Sequence, residues 1–296
     1  MRDYYFGLYR VKAGEKEYEN EYTHEKFTRP IYKEKKMKIR VMSDLHLDYN
    51  QKYPLELKNK NTFTIIAGDL SGYSEYRDKW LKENIHNGIF VEGNHIFYNN
   101  EEKTLQQLYK DLEEKYPLDS NISFLQNQHK VINNIVFIGC TLWTDCRLNG
   151  YKATRILQSR MNDYRYGRYL CNEGLEDEYE SIFEPEFSIN EFNKSLNYIE
   201  SICDKYPQNK IVVVTHHCPS QKCISRYYRS SDCNQAYASN LESFIQNHSN
   251  IVCWVCGHSH NSRDFKIDGC RVIMNCRGYV PYGEDRDFNS NKVIYI

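Results

Sequence analysis

Five short apolar runs, each followed at once by side chains able to bind a metal ion, constrain this chain more than any other feature. The first run, residues 39–42, has the β-branched content of a buried strand and leads into Asp44 and His46. Residues two apart on a strand share a face, so a carboxylate and an imidazole leave the strand end on the same side. One such pair is a weak signal, and its weight depends on the runs that follow.

The four later runs repeat this pattern in order along the chain. They are predicted as strands over residues 62–67, 88–91, 211–214 and 251–255. The polar residues that follow the five runs are Asp44, His46, Asp69, Asn94, His95, His216, His258 and His260. In α/β sheets, ligands bind just outside the carboxyl ends of the strands, so these side chains are expected to converge.

The chemistry of this set indicates a metal site. Imidazole and carboxylate together suit zinc, iron or manganese, and the oxygen ligands favour the harder ions. The ligands are too many for one tetrahedral ion and enough for two ions about 3.5–4 Å apart that share a bridging carboxylate. Any single member would usually be a structural polar residue, but five strand ends that all carry ligands predict a dinuclear site.

Strand and helix patterns alternate, which predicts an α/β fold. Helices are predicted over residues 75–87, 101–116, 188–205 and 235–247. Further strands are predicted over residues 122–125, 129–132, 135–140, 264–267, 270–275 and 293–296. Residues 151–187 are less clear, with a candidate pocket loop at 161–165.

The N-terminal segment differs in composition from the rest. Residues 1–36 are rich in Tyr, Lys and Glu without sustained periodicity, and are interpreted as an N-terminal extension before one domain over residues 37–296. A basic contact arm is the alternative, but interleaved acidic residues favour a solvated segment.

Composition narrows the class of protein. With 40% hydrophobic residues and a net charge of -1, the chain supports a sizeable core and has no global field for nucleic acid or a membrane. No long apolar run or signal-peptide core is present, so a cytoplasmic protein is predicted. Eleven cysteines, an odd number, predict free thiols. Cys253 and Cys256 would face opposite ways on a strand, which favours packed thiols over a zinc or redox pair.

The ordered motifs resemble those of the calcineurin-like metallophosphoesterases over about residues 38–296. They are Asp44-Leu-His46, Gly68-Asp69, Gly93-Asn-His95, His216 and Gly257-His-Ser-His260. Residues 141–145, 161–165, 215–220 and 277–279 also resemble a subgroup of small uncharacterised bacterial and phage members. The resemblance implies a four-layer α/β/β/α sandwich with two central mixed sheets.

The resemblance also implies roles for the ligands. Three would hold the first metal ion, three the second, and one would bridge: Asp44, His46 and His260; Asn94, His216 and His258; and Asp69. The implied activity is hydrolysis of a phosphate mono- or diester by a metal-bridging hydroxide, with His95 as catalytic residue. The cofactors would be two divalent ions, manganese first, with iron or zinc as alternatives. Candidate substrate contacts, with a structural role as an equal alternative, are Asn162, Arg165 and Arg277.

Two positions depart from the family pattern. The segment Gly68-Asp-Leu-Ser-Gly72 lacks the second Asp that usually orients the catalytic His, and Ile96 stands where an acidic residue is usual. Neither position is a metal ligand, so metal binding is expected to persist. His95 is expected to lack its orienting carboxylate, unless Asp145 replaces it from a distant loop.

Two other functions remain open. A non-catalytic interaction scaffold on the same fold would be expected to have lost ligands, and all of them persist. A nuclease for single-stranded nucleic acid would need a basic, aromatic channel, to which residues 226–229 contribute, although the net charge does not favour it. The expected partner is therefore a phosphate ester, with no membrane, and the sequence specifies neither the ester nor the oligomeric state.

Overall fold

Two mixed β-sheets that face each other form the centre of the molecule. The computed structural model describes residues 10–19, 26–34, 36–100, 102–148 and 154–296. Their strands are Arg10–Glu19 (β1), Lys26–Glu34 (β2), Lys38–Met42 (β3), Phe63–Ala67 (β4), Gly88–Val91 (β5), Ile122–Phe124 (β6), Gln128–Ile132 (β7), Ile135–Cys140 (β8), Arg168–Cys171 (β9), Tyr179–Ile182 (β10), Lys210–Thr215 (β11), Ile251–Cys256 (β12), Arg263–Ile267 (β13), Cys270–Met274 (β14) and Val293–Tyr295 (β15). Their α-helices are Ser74–Asn84 (α1), Leu105–Lys115 (α2), Thr154–Arg160 (α3), Asp163–Tyr166 (α4), Pro185–Lys205 (α5) and Glu242–Asn247 (α6).

Each sheet has a parallel centre and an antiparallel edge. The five-stranded sheet runs β15-β3-β4-β5-β6, and only β15 is antiparallel to its neighbour. The six-stranded sheet runs β13-β14-β12-β11-β8-β7, with β13 and β7 antiparallel at its two edges. Because the central strands of each sheet are parallel, their carboxyl ends meet at one edge, as ligand binding in such folds requires.

Side-chain alternation on the strands creates three apolar layers. On β3, Val41 points between the two sheets, whereas Met42 points outward against Trp80 of α1 and the residues of α2. On the six-stranded sheet, Val213 points outward and packs with Ile199 of α5. The layers are therefore helix, sheet, sheet and helix, which confirms the predicted four-layer sandwich.

Most predicted elements lie where the sequence placed them, with shifted ends. The helix expected over 101–116 begins after Thr104, whose hydroxyl accepts from the Gln107 backbone N–H while the Gln107 side chain accepts from Thr104 N–H. Residue 101 itself lies outside the described residues. The helix expected over 188–205 begins earlier, at Pro185, a residue suited to the first helical position.

The helix predicted over residues 235–247 is wrong in its first half. A short 3₁₀ turn occupies Asn234–Ala236, and only Glu242–Asn247 is helical. The reason is a competing backbone pairing: Cys218 N–H donates to Tyr237 O at 3.0 Å, and Ser239 N–H donates to Cys218 O at 3.0 Å. Groups used in that pairing are not free for helical hydrogen bonds.

The described part of the N-terminal segment is a β-hairpin, which the sequence did not predict. Strands β1 and β2 pair with each other from Arg10 opposite Glu34 to Glu19 opposite Lys26. The rest of the predicted extension, residues 1–9, 20–25 and 35, lies outside the described residues. The division between an extension and a domain at residue 37 stays a prediction.

Within the described ranges, no helix has the length and apolar character needed to cross a bilayer. Residues 151–153, the start of the segment without a clear pattern, lie outside the described residues. The remainder of that segment contains α3, α4, the small β9–β10 sheet and the first residues of α5.

Candidate metal centre

All the predicted ligand residues follow strands whose carboxyl ends meet at one edge of the sandwich. Asp44 and His46 follow β3, Asp69 follows β4, Asn94 and His95 follow β5, His216 follows β11, and His258 and His260 follow β12. The ligands are buried except for His260, which is partly exposed. The sequence therefore identified side chains that the fold brings together from both sheets.

Asp44, His46 and His260 form the first ligand cluster. The Nε2 atoms of His46 and His260 are 2.9 Å apart, and His260 Nε2 lies 3.6 Å from Asp44 Oδ1. Three donor atoms this close, from one carboxylate and two imidazoles, are arranged to bind one cation.

The second ligand cluster is centred on His216. Its Nε2 atom lies 3.3 Å from Asp69 Oδ2, 3.0 Å from Asn94 Oδ1 and 3.1 Å from His258 Nδ1. The same Asp69 oxygen is 4.0 Å from His46 Nε2 in the first cluster. Asp69 thus stands between the two clusters, where a bridging carboxylate would be.

The imidazoles of the two clusters differ in how strongly their surroundings favour protonation. Burial lowers the pKa of His46 and of His258 well below the usual value. Burial also acts to lower the pKa of His216, but the adjacent Asp69 carboxylate outweighs it and raises that pKa to about 9. Paired ring nitrogens about 3 Å apart can share one proton or one cation, and a cation lets every imidazole bind in its neutral form.

Four buried polar atoms at the centre have no hydrogen-bond partner in the part of the chain that the structure describes: Asp44 Oδ2, His46 Nδ1, His95 Nδ1 and His258 Nε2. His46 and His258 direct their other ring nitrogens into the clusters, so the Asp44 carboxylate is the orphaned ligand group that a bound ion would satisfy. The donor set therefore fits two divalent cations held by nitrogen and oxygen ligands.

The backbone is strained at five of the ligand residues. Positive φ angles, uncommon outside glycine, occur at Asp44, His46, Asp69, His258 and His260, with values between 42° and 69°. Each such residue costs about 1–3 kcal/mol, so it persists only where the surrounding structure determines it. Here the sharp turns after the strands aim the side chains inward.

The glycines of the motifs are required by close packing around the ligands. A Cβ atom on Gly68 would lie 2.1 Å from His216 Nδ1, and one on Gly93 would lie 2.2 Å from Asp69 Oδ1. Both contacts are too short for any side chain. The residues before Asp69 and Asn94 must therefore be glycine for the two sheets to bring their ligands together.

Two further residues position the ligands, and the sequence analysis missed their roles. His260 Nδ1 lies 2.6 Å from Glu284 Oε2, so the carboxylate fixes the ring with Nε2 directed at the centre. Asn94 Nδ2 donates to Asp163 Oδ1 at 2.8 Å, which turns its amide oxygen toward His216. Glu284 begins a 3₁₀ turn and belongs to none of the motifs, whereas Asp163 lies in the candidate pocket loop.

His95 faces the centre without an orienting carboxylate. Its Nε2 atom is 3.9 Å from Asp69 Oδ2 and 3.2 Å from the hydroxyl of Tyr279. Its Nδ1 atom is buried and has no hydrogen-bond partner among the described residues. Asp145 accepts instead from the backbone N–H of Arg147 at 3.2 Å.

A cleft of about 850 Å³ opens over the two clusters. Six tyrosines line it: Tyr49, Tyr98, Tyr166, Tyr228, Tyr237 and Tyr279. Of the predicted substrate contacts, Asn162 lines the cleft, and the exposed Arg160 beside it was not anticipated. Arg165 and Arg277 are not lining residues; their guanidinium groups donate to the backbone carbonyls of Ser159 and Tyr53, a structural use.

The facing mixed sheets and the Asp/His clusters at their carboxyl edge define a protein of the metallophosphoesterase class. The sequence model described as calcineurin-like phosphoesterase matches residues 37–262, and the chain belongs to that family. The resemblance drawn from the motifs is confirmed. Membership supports a phosphoester hydrolase as the coarse function.

Two relatives illustrate how far the likeness extends. Uncharacterized protein L509 of Acanthamoeba polyphaga mimivirus is 26% identical over a 287-residue alignment that covers 87% of this chain and 95% of that protein. The crystal structure of phosphopantetheinyl hydrolase (PptH) from Mycobacterium tuberculosis superposes with a TM-score of 0.65 at 16% identity, covering 87% of this chain and 95% of that one. At that identity the second likeness shows the fold alone.

Proposed function

We propose that this protein is a dinuclear metal-dependent phosphoesterase that hydrolyses a phosphate mono- or diester in the tyrosine-lined cleft. One observation carries the proposal: two ligand clusters, Asp44/His46/His260 and Asp69/His216/His258, meet with Asp69 between them. A single-metal protein has no need of a second cluster so close. A scaffold would have no need of five strained ligand residues.

The assignment of ligands follows the geometry. Asp44, His46 and His260 would hold one ion, and Asn94, His216 and His258 the other, with Asp69 shared. When bound, the two cations supply neutralisation of phosphoryl charge and activation of water. The amide and carboxylate oxygens favour a harder ion among the imidazole-binding metals, so Mn²⁺ is proposed ahead of Fe or Zn²⁺.

His95 is the side chain proposed to touch the reacting phosphate. Its Nε2 atom faces the centre, 3.9 Å from the shared Asp69 carboxylate. The buried Nδ1 atom has no acceptor among the described residues, so a proton there would be an unpaired buried donor. Nε2 is therefore the ring nitrogen placed to carry a proton toward the centre, where it would give a hydrogen bond to a phosphoryl oxygen or the proton itself to the leaving oxygen.

The cleft supports a substrate that carries a flat ring. Tyrosine side chains offer stacking surfaces, and Tyr228 is largely exposed at the rim. Arg160 is the only Lys or Arg among the described lining residues, while Asp48 and Glu284 add negative charge. A single cation suits one phosphate better than a nucleic-acid backbone, which disfavours the nuclease alternative.

The test combines metal content with activity. Elemental analysis after reconstitution is expected to saturate at two ions per chain, and hydrolysis of a chromogenic phosphodiester, a phosphomonoester and single-stranded DNA is then compared with Mn²⁺ present. Hydrolysis of a small ester identifies the phosphoesterase, and preference for DNA identifies the nuclease. Two bound ions without turnover of any of the three would favour the scaffold, and saturation at one ion would refute the dinuclear site.

Asp69→Asn is the decisive variant, because it weakens a ligand shared by both ions. We expect it to lose metal from both positions and to reduce turnover more than any other ligand change. The matched control is Asp119→Asn, which makes the same change on an exposed loop. Unchanged occupancy and turnover in Asp69→Asn would show that the bridging assignment is wrong.

The cysteines support a reducing compartment such as the cytoplasm. All eleven are free thiols, as the sequence predicted, and all but Cys233 are buried. A chain with this many unpaired thiols is suited to an environment that keeps them reduced.

A further inference from the structure

Three buried cysteines gather directly behind the metal centre. The sulfur atoms of Cys218, Cys223 and Cys256 lie within 4.8 Å of one another, and all three side chains have 0% exposure. Cys256 is the second member of the Cys253-Trp-Val-Cys256 pair, and Cys253 faces the other side of β12, between the sheets. The two side chains thus face opposite ways, as their spacing predicted, and the sulfur neighbours of Cys256 come from residues 218 and 223.

The backbone holds the three sulfurs in place from separate elements. Cys218 forms an isolated bridge with Ala238, and Cys256 is the last residue of β12. Cys223 is the last residue of a 3₁₀ turn. Its backbone carbonyl accepts from Ser259 Oγ at 3.1 Å and from Asn261 Nδ2 at 3.2 Å. The cluster is thus fixed by its surroundings and does not depend on one flexible loop.

We propose that Cys218, Cys223 and Cys256 form a third metal site, which binds a thiophilic cation of the Zn²⁺ class as a structural brace. Soft thiolate ligands select such cations, and a site without open access to solvent is structural in kind. Each thiol that binds releases its proton to solvent. The carbonyl oxygen of Gly257, 3.2 Å from Cys218 Sγ, offers a neighbouring oxygen for the remaining coordination position.

The position of the proposed site, next to two ligands of the second cluster, indicates what a bound cation would stabilise. Cys218 is two residues after His216, and Cys256 is two residues before His258. A cation held by both would tie the end of β11 to the end of β12, and so fix two ligands of the second cluster. Through Cys223 it would also tie down the turn that is hydrogen-bonded on either side of His260.

The other buried cysteines show what simple packing looks like in this protein. Of the eleven, only these three form a group of sulfurs within that distance in the described chain. Cys253 is equally buried, in the apolar layer between the sheets, and belongs to no such group. It provides the matched control.

The test uses Cd²⁺ and the full-length chain, reduced with a phosphine that does not bind as a thiol. Thiolate-to-cadmium charge transfer gives an ultraviolet band that nitrogen and oxygen ligands do not give, so the His/Asp centre is silent in this readout. We expect one thiolate-bound Cd²⁺ per chain. Cys223→Ala should lose the band, and Cys253→Ala should keep it.

Two further measurements cover the cases in which Cd²⁺ cannot enter the buried site or the variant does not fold. Because the site is buried, Cd²⁺ is added both to the folded protein and during refolding, and absence of the band in both would overturn the proposal. If Cys223→Ala does not fold, X-ray absorption of the Cd²⁺-loaded wild type decides: sulfur neighbours support the site, and only nitrogen and oxygen neighbours refute it. Loss of phosphoesterase activity is not part of either readout, so the thiol site can fail or stand independently of the proposed function.

Discussion

His95 has its reactive nitrogen in place but lacks the support that a carboxylate would give. We expect His95→Ala to keep its metal content and to lose turnover, because Nε2 contributes hydrogen bonding or a proton and no ligand bond. General acid catalysis contributes about 10²–10⁴-fold, so the loss should be largest for esters with a poor leaving group. Nitrophenyl and alkyl esters are compared. Equal losses would assign His95 to phosphoryl-oxygen stabilisation, and no loss would remove it from the mechanism.

The hydroxyl of Tyr279 lies 3.2 Å from His95 Nε2, and the centroid of its ring lies 4.5 Å from that of the His46 ring. Tyr279→Phe keeps the ring and removes the hydroxyl. A hydrogen bond of this kind contributes about 0.5–1.5 kcal/mol, which corresponds to about a 2- to 12-fold change in rate. We expect turnover to change within that range at unchanged metal occupancy. The same loss in a Tyr279→Phe/His95→Ala double variant as in His95→Ala alone would confirm that the hydroxyl acts through His95, and additive losses would contradict it.

Which residues the sequence could identify depended on how they are placed. Asp44, Asp69 and His216 each follow an apolar strand directly, so the local pattern marks them. Glu284 carries no such mark: it lies on a 3₁₀ turn, and its role arises only because the fold places it 2.6 Å from His260. Arg277 lies in a motif, but the donation of its buried guanidinium to the backbone carbonyl of Tyr53 is a contact that no local pattern indicates.

At the scale of elements, the turn Glu284–Asp287 supports the first ligand cluster, because Glu284 lies 2.6 Å from the ring of His260. Glu284→Gln keeps a hydrogen-bond acceptor for His260 but removes the charge. Changes to such supporting carboxylates cost about 10–100-fold in metal affinity or activity, so we expect a loss of that size at the first position only. Calorimetric titration of the metal-free protein measures it. Asp287→Asn, an exposed change on the same turn, is the control, and equal affinities in the two variants would argue against the support.

The buried strands were easier to predict from the sequence than the ends of the helices or the elements that lack an apolar pattern. The buried strands of both sheets are apolar on both faces, so continuous runs identified them. Residues 235–241 have a helix-like composition, but their backbone pairs with Cys218, a contact 20 positions away that no local pattern contains. The hairpin β1–β2 was missed because its strands carry charged and aromatic residues without an apolar face.

At the scale of the whole molecule, the first residue of the predicted domain, Met37, pairs with the last residue of the chain, Ile296. Met37 N–H donates to Ile296 O at 3.0 Å, and Ile296 N–H donates to Met37 O at 3.1 Å, which extends the β3–β15 pairing. The family match also begins at residue 37. The hairpin before it is a two-stranded sheet of its own, apart from both central sheets.

These observations predict that the domain does not need its N-terminal segment. We expect a variant lacking residues 1–36 to fold, to bind two metal ions and to hydrolyse a small ester at the wild-type rate, because no ligand or described cleft residue lies before residue 37. Thermal unfolding, elemental analysis and turnover measure the three outcomes.

A variant lacking residues 1–41 is the contrasting deletion: it removes most of β3, the strand that leads into Asp44, and should not fold. If the shorter deletion also unfolds the protein or abolishes turnover of a small ester, the hairpin is part of the domain and the boundary at residue 37 is wrong. If it impairs turnover only of a large substrate, the hairpin instead contacts that substrate beyond the cleft.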